Sequence, residues 1–196
     1  MKKRIKKEKK PIFPVRDVDR QLQLACNALN IRGIRSAISA GADVNALDET
    51  HEYSPLDIVV NSVRGWENYR SKPDYQRQIR SILEVLLSNG ANANGYNGEE
   101  RPLLVFTWDL CDPEACALLL QHGAAVNFEC YEKRSVLDMV WEESTYLATT
   151  EGSKETIQRL DKISKMLEKH GAKSFYDPLF KDKLKGRYRN EMDEGK

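Results

Sequence analysis

A short motif recurs along this chain, and its recurrence limits the folds that the sequence can adopt. The motif reads Gly-Ala-Asp-Val-Asn from Gly41, Gly-Ala-Asn-Ala-Asn from Gly90 and Gly-Ala-Ala-Val-Asn from Gly123, and a fainter copy begins at Gly171. Self-similarity of this kind is typical of stacked-repeat architectures, in which each unit buries its apolar face against its neighbours. The sequence therefore predicts a stack of similar units. Such a stack more often presents a surface than encloses a catalytic pocket.

Each motif follows a segment in which apolar residues recur with helical spacing. Residues three, four and seven positions apart lie on one face of a helix, and a glycine then supplies the left-handed residue that ends it. We therefore predict a helix that ends at each motif. The apolar stripes are Ile34, Ala37 and Ile38; Ile79, Ile82, Leu83, Leu86 and Leu87; Cys116, Leu119 and Leu120; and Leu160, Ile163, Met166 and Leu167.

The residues that start another predicted helix resemble a motif of the ankyrin repeat family. Ser54-Pro55-Leu56-Asp57 is similar to the Thr-Pro-Leu-His with which that family opens its inner helix, because a hydroxyl caps the helix and proline suits its first position. Residues 101–104 and 135–138 are weaker copies, and the 33 residues between Gly90 and Gly123 equal the ankyrin period. The resemblance implies an all-α fold, namely an ankyrin-type repeat solenoid of about four helix-turn-helix units with short hairpin fingers.

Two of the units are longer than the ankyrin period. The interval from Gly41 to Gly90 is 49 residues and that from Gly123 to Gly171 is 48 residues. Helical spacing continues past the usual end of the inner helix in both units, and Pro73 and Gly152 are plausible turn residues. We predict that the inner helix runs about two turns further in the second and fourth units, and that the outer helix starts early.

The lengthened hairpins carry the aromatic residues that form one of two candidate surfaces. One interpretation is that these rings hold the hairpins together over the short third unit. The other is that some of them form an exposed anchor for a partner, since Trp and Tyr dominate interface hot spots. The residues are Trp66, Tyr69, Tyr75, Trp141 and Tyr146.

The other candidate surface follows from the resemblance, because fingers and inner helices commonly bind the partner in ankyrin proteins. The fingers are expected at residues 46–53, 95–100 and 128–134, where acidic and aromatic residues alternate. This surface suits a basic protein partner, and the alternative is a solvated acidic edge without a partner. The predicted partner-binding residues are Asp48, Glu49, His51, Glu52 and Tyr53; Tyr96, Glu99 and Glu100; Trp108 and Asp109 of the third inner helix; and Phe128, Glu129, Tyr131 and Glu132.

The ends of the chain differ from its middle in composition. Residues 1–15 are predicted to form a basic flexible arm, residues 16–176 the ankyrin-repeat domain and residues 177–196 a charged tail. The arm either contacts nucleic acid or anionic lipid, acts as a nuclear import signal, or only keeps the chain soluble. The whole chain has 31 Lys and Arg against 30 Asp and Glu, so we expect nucleic-acid contact only through residues 1–10.

The sequence predicts no catalytic, cofactor-binding or metal-binding residue. The four cysteines lack Cys-x-x-Cys spacing, and no apolar run approaches the roughly 18–20 residues of a membrane span. We expect a cytoplasmic protein, with nuclear or secreted-effector delivery left open, that is not an enzyme and takes no small-molecule substrate.

The expected function is to bind another protein as an adaptor or stoichiometric inhibitor. A bacterial immunity or antitoxin-like protein and a host-targeting ankyrin effector are two specific alternatives. Nucleic-acid association through the basic arm is the alternative from another functional class.

Overall fold

The computed structural model describes residues 16–50, 52–63, 72–97, 101–128, 134–150 and 152–175. These residues form eight helices and one antiparallel bridge between two-residue strands, which confirms the all-α class. The predicted arm at 1–15 and tail at 177–196 lie outside the described residues. The elements are α1 Asp17–Asn27, α2 Ile31–Ser39, α3 Pro55–Ser62, α4 Pro73–Ser88, β1 Tyr96–Asn97, β2 Arg101–Pro102, α5 Leu103–Asp109, α6 Pro113–Gln121, α7 Val136–Thr149 and α8 Lys154–Lys169.

The eight helices pack as four sequential pairs in two layers. Within the pairs, α1 contacts α2, α3 contacts α4, α5 contacts α6 and α7 contacts α8. Between pairs, α1, α3, α5 and α7 contact one another in that order, and α2, α4, α6 and α8 do the same. We call these two sets the inner layer and the outer layer. The main contacts of each pair are therefore with the pair before it and the pair after it.

One apolar core runs between the two layers. Every helix contributes at least one side chain that is almost completely removed from solvent, and these side chains belong to a single cluster. Burial of a leucine or isoleucine side chain stabilises a fold by about 1.5–3 kcal/mol, so this shared strip is the main attraction between successive pairs. Representatives that are at most 1% exposed, one for each helix, are Leu22, Ile34, Leu56, Ile79, Leu104, Leu119, Leu137 and Leu160.

A serine hydroxyl caps two of the inner-layer helices, as the sequence predicts, and an aspartate three residues later completes a capping box in each. The hydroxyl of Ser54 accepts the N–H of Asp57 at 3.2 Å, and the Asp57 carboxylate accepts the N–H of Ser54 at 2.9 Å. Ser135 and Asp138 repeat this arrangement at the start of α7, at 3.2 and 2.8 Å. The third copy differs, because Arg101 has no hydroxyl or carboxylate to cap a helix and lies in β2 instead.

The predicted lengthening of the helices in the second and fourth units is confirmed for three helices and wrong for one. Both α4 and α8 have 16 residues, whereas α2 and α6 have 9 each, and α7 has 14. However, α3 ends after 8 residues, and Val63 is already extended with ψ of 105°. The Ser62 hydroxyl donates to the Ile58 carbonyl at 2.7 Å, and Asn, Ser and β-branched Val are weak helix formers. Trp66, on which the longer α3 depended, lies outside the described residues.

The four motif glycines adopt the predicted left-handed conformation at the ends of the outer-layer helices. Their φ angles are 90° at Gly41 and Gly90, 82° at Gly123 and 83° at Gly171. After each glycine, the alanine N–H returns to a carbonyl in the last turn of the helix at 2.9–3.0 Å. This hydrogen bond is the one that defines a Schellman ending, so the four turns share one geometry.

The asparagine that closes each motif joins one pair of helices to the next. The carboxamide of Asn45 donates to the Gly90 carbonyl at 2.9 Å and accepts the Asn92 N–H at 2.8 Å. Asn94 makes the same two bonds with Gly123 and Ala125, at 3.1 and 2.7 Å. A third clamp links Asn127 to Gly171 and Lys173 at 3.0 and 2.8 Å. We call these three double hydrogen bonds the asparagine clamps.

The first and last motifs mark where the clamps begin and end. No motif precedes Gly41 in the chain, and there Arg16 donates to the Gly41 carbonyl while Asp19 accepts the Asp43 N–H, at 3.3 and 2.8 Å. The hydrogen bond from Arg16 holds the pKa of Asp19 below its usual value. Phe175 occupies the asparagine position of the fourth motif. Because a phenyl ring can neither donate nor accept, the series of clamps stops at this residue.

Candidate functional site

The first finger, residues 46–53, is a hairpin closed by its own hydrogen bonds. The Asp48 N–H donates to the Tyr53 carbonyl at 2.9 Å, and the Asp48 carboxylate accepts the Thr50 N–H at 2.7 Å. Glu52 has a φ of 57°, which lets the chain reverse before α3. His51 lies outside the described residues. Asp48 is therefore part of the internal structure of the loop as well as of its acidic surface.

Two contacts tie the first finger to α1. Arg20 and Glu49 form an ion pair at 3.3 Å, and the carboxamide of Gln23 donates to the Ala46 carbonyl at 3.2 Å. About half of each charged side chain is exposed, so the ion pair contributes at most about 1 kcal/mol. The sequence of the finger contains no Lys or Arg, but α1 supplies one. The charge of Glu49 is therefore partly balanced by a cation from outside the finger.

A groove of about 470 Å³ lies between this finger, α1 and α3. Asn27 and Ser62 approach each other across it, with 3.3 Å between the serine oxygen and the side-chain oxygen of the asparagine. We call this space the α1–α3 groove. The residues that line it are Arg20, Gln23, Leu24 and Asn27 of α1, Asp48, Thr50 and Tyr53 of the finger, and Ile58, Asn61 and Ser62 of α3.

The lining of the α1–α3 groove combines apolar surface with groups that hydrogen-bond. Leu24 is 63% exposed, and Ile58 and Tyr53 line the same groove with apolar surface of their own. Asn27 and Asn61 each offer a carboxamide, which can both donate and accept. A site of this composition can bind a chain segment that presents its own backbone and apolar side chains.

Of the residues that line this groove, sequence reasoning predicted only Asp48 and Tyr53. The helical residues were missed, although Leu24 gave a signal. Leu22, Ala25 and Cys26 form the buried face of α1, and Leu24 falls outside it at a spacing that the helical period turns toward solvent. An apolar residue away from the core stripe indicates an exposed contact position.

The second and third fingers are described only in part. At the second finger, the backbones of Tyr96 and Asn97 pair with those of Pro102 and Arg101 in a short antiparallel ladder. Phe128, at the start of the third finger, is half-buried and packs against the core. The remaining predicted residues of these fingers lie outside the described residues, namely Glu99, Glu100, Glu129, Tyr131 and Glu132.

Trp108 and Asp109, at the end of α5, are both half-buried. The Trp108 ring packs against the core, and its indole N–H is buried with no hydrogen-bond acceptor among the described residues. A buried, unpaired donor costs free energy, so this tryptophan is held by packing. Its indole N–H does not extend the finger surface into solvent, which differs from the sequence-based expectation.

The aromatic residues of the second candidate surface are divided by the structure. Tyr75 and Trp141 are half-buried and pack against the core, whereas Tyr146 is 62% exposed on α7. Trp66 and Tyr69 lie outside the described residues. The described aromatic rings therefore do not form one exposed patch, and Tyr146 is the member available for contact.

The buried ionisable groups of the inner and outer layers serve the fold. Burial raises the pKa of the Cys26 thiol to about 12 and that of the Cys116 thiol to about 11. Burial also raises the pKa of the Asp57 carboxyl, which caps α3. Among the described residues, no group of three His, Cys, Asp or Glu side chains is placed to hold a metal ion.

A second depression of about 560 Å³ lies in the outer layer, between α2 and α4. Its lining is mostly polar and includes Arg35 and Glu84, with Ile38 and Val85 as its apolar members.

Within the described ranges, no helix combines the length and the apolar content needed to cross a bilayer. No family model matches the sequence, and a comparison with curated proteins finds no significant relative.

Proposed function

We propose that this chain is an ankyrin-type repeat protein. Three observations support the proposal: the pairwise packing of the helices in two layers, the four glycine turns of one geometry, and the asparagine clamps between successive motifs. Each unit depends on its neighbours for burial, which is the physical basis of a solenoid. The lengthened α4, α7 and α8 distinguish the second and fourth units from the others.

The function of this stack is to bind another protein. The observation that carries this conclusion is the open α1–α3 groove, with a largely exposed leucine among amide and charged side chains. Interfaces combine apolar anchors with surrounding polar groups in this way. The chain acts by covering a surface of its partner, either as an adaptor or as a stoichiometric inhibitor.

The test is to capture and reconstitute the complex. The tagged full chain is used to purify partners from a lysate of the native organism, with the tag alone as control, and bound proteins are identified by mass spectrometry. Each candidate is then purified and titrated with the chain in a calorimeter. We expect one partner to bind at a fixed stoichiometry with Kd below about 10 µM, which is about −7 kcal/mol. If no purified candidate binds, the proposed function is wrong.

A further measurement on the same complex separates the two modes of action. An inhibitor abolishes the activity of its partner when the chain reaches equivalence in the titration. An adaptor leaves that activity intact and retains a third protein in the captured complex. Either result distinguishes an inhibitor from an adaptor, which the binding measurement alone does not.

A further inference from the structure

The walls of the α1–α3 groove differ in chemistry, and this difference limits which ligands can bind there. The finger wall carries Asp48, and Glu49 lies next to the groove through its ion pair with Arg20. The helical walls carry Leu24 and Ile58, and the α1 wall also carries Arg20, whose cation is held by Glu49 of the finger. A ligand that fits this groove therefore needs an apolar group on the helical side and a positive group on the finger side.

The amide groups of the groove indicate how the rest of such a ligand is held. Asn27 comes from α1 and Asn61 from α3, so carboxamides line both helical walls. Each can accept a backbone N–H and donate to a backbone carbonyl. An extended chain segment displays both groups along its length, whereas a helix uses them internally. The groove is therefore better suited to an extended segment than to a helix.

We propose that the α1–α3 groove binds an extended protein segment in which an aliphatic residue stands close to a lysine or arginine. The aliphatic side chain packs against Leu24 and Ile58, and the cation lies next to Asp48 and Glu49. This inference rests on the proposed protein-binding function and names the class of partner. It also gives the Arg20–Glu49 ion pair a role, because the cation of the partner competes with Arg20 for Glu49.

The test is selection of random dodecapeptides displayed on phage against the full chain at low salt. We expect the enriched peptides to carry Lys or Arg within two positions of Leu, Ile, Val or Met. The Leu24→Ser variant should weaken a selected peptide by about tenfold or more, as loss of a central apolar anchor does. Leu47→Ser is the matched control, because Leu47 is also about half exposed on the first finger but does not line the groove.

A second set of variants tests the charged wall of the groove. Glu49→Lys should weaken the peptide by about tenfold at low salt and by less at high salt, where surface charges are screened. Glu84→Lys, which makes the same change beside the outer depression, should have no effect. Arg20→Gln should strengthen binding severalfold, since it releases Glu49 from its ion pair. If Arg20→Gln and Glu49→Gln weaken the peptide equally, the ion pair only supports the finger and the proposal is wrong.

Other results separate this proposal from the general one. A selection without enrichment, or peptides that bind Leu24→Ser as well as the wild type, would overturn the groove proposal. A captured partner that binds both Leu24→Ser and Glu49→Lys with full affinity would also overturn it. In that case the protein-binding function would stand, and the contact would lie on another surface.

Discussion

Replacement of Asn94 by alanine removes one asparagine clamp and should loosen the second unit from the third. The side chain donates to the Gly123 carbonyl at 3.1 Å and accepts the Ala125 N–H at 2.7 Å. A hydrogen bond contributes a net 0.5–1.5 kcal/mol or so, and all three residues are exposed, so water replaces the lost partners. Two bonds therefore correspond to about 1–2 kcal/mol of the free energy of unfolding.

The assay is urea unfolding of the full chain, followed by far-ultraviolet circular dichroism. With a denaturant dependence of about 2 kcal/mol per molar urea, in the middle of the usual range, the midpoint should fall by about 0.5–1 M without a change in slope. Asn92→Ala is the matched control, because within the described part of the chain the Asn92 side chain makes one hydrogen bond, accepting the Asn94 N–H of its own turn at 3.0 Å.

The comparison of the two asparagine variants is decisive. Asn92→Ala should lose less than half as much stability as Asn94→Ala. Equal losses, or a loss below about 0.5 kcal/mol at Asn94, would refute the view that the clamps hold successive units together. A change in slope would instead show that the units unfold separately.

Three further outcomes follow from the fold. Gly123→Ala should lower the free energy of unfolding by about 1–2 kcal/mol, because alanine is strained at a φ of 82°. The added methyl group meets no atom within 4 Å, so no steric clash adds to this cost, and an unchanged Tm in thermal unfolding would contradict the prediction. Cys26 and Cys116 should not react with a thiol reagent at pH 8 until the chain is unfolded, and rapid labelling of either residue in the native chain, located by peptide mapping, would refute their burial. Burial raises the pKa of Asp57 above 3.8, so its contribution to stability is greatest below that pH and falls as pH rises through the folded-state pKa. Asp57→Asn should therefore cost less stability at neutral pH than near pH 4, and the reverse order would be inconsistent with a raised pKa.

The helix endings could be predicted from the sequence because their cause is local. A glycine at a left-handed position avoids the steric cost that any other residue meets, so Gly41, Gly90, Gly123 and Gly171 identified four turns correctly. The serine capping boxes are local for the same reason. The end of α3 was missed, because apolar spacing through Trp66 was given more weight than the weak helix formers that precede it.

The groove could be predicted only in part because its contacts join distant parts of the chain. The partner of Glu49 lies 29 residues earlier, and the partner of Asn45 lies 45 residues later. Periodicity within a helix does not report such pairs. The asparagines recur in the motif, but their role was not predicted, because their partners are apparent only in the stacked arrangement of the pairs.

Hydrogen exchange on the complex with the captured partner tests the account most directly. The backbone amides of residues 20–27, 46–53 and 58–62 surround the α1–α3 groove, and we predict that added protection concentrates there. Amides of the outer-layer helices α2, α4 and α6 should exchange as in the free chain. Protection confined to those outer helices, with the groove unchanged, would contradict the account.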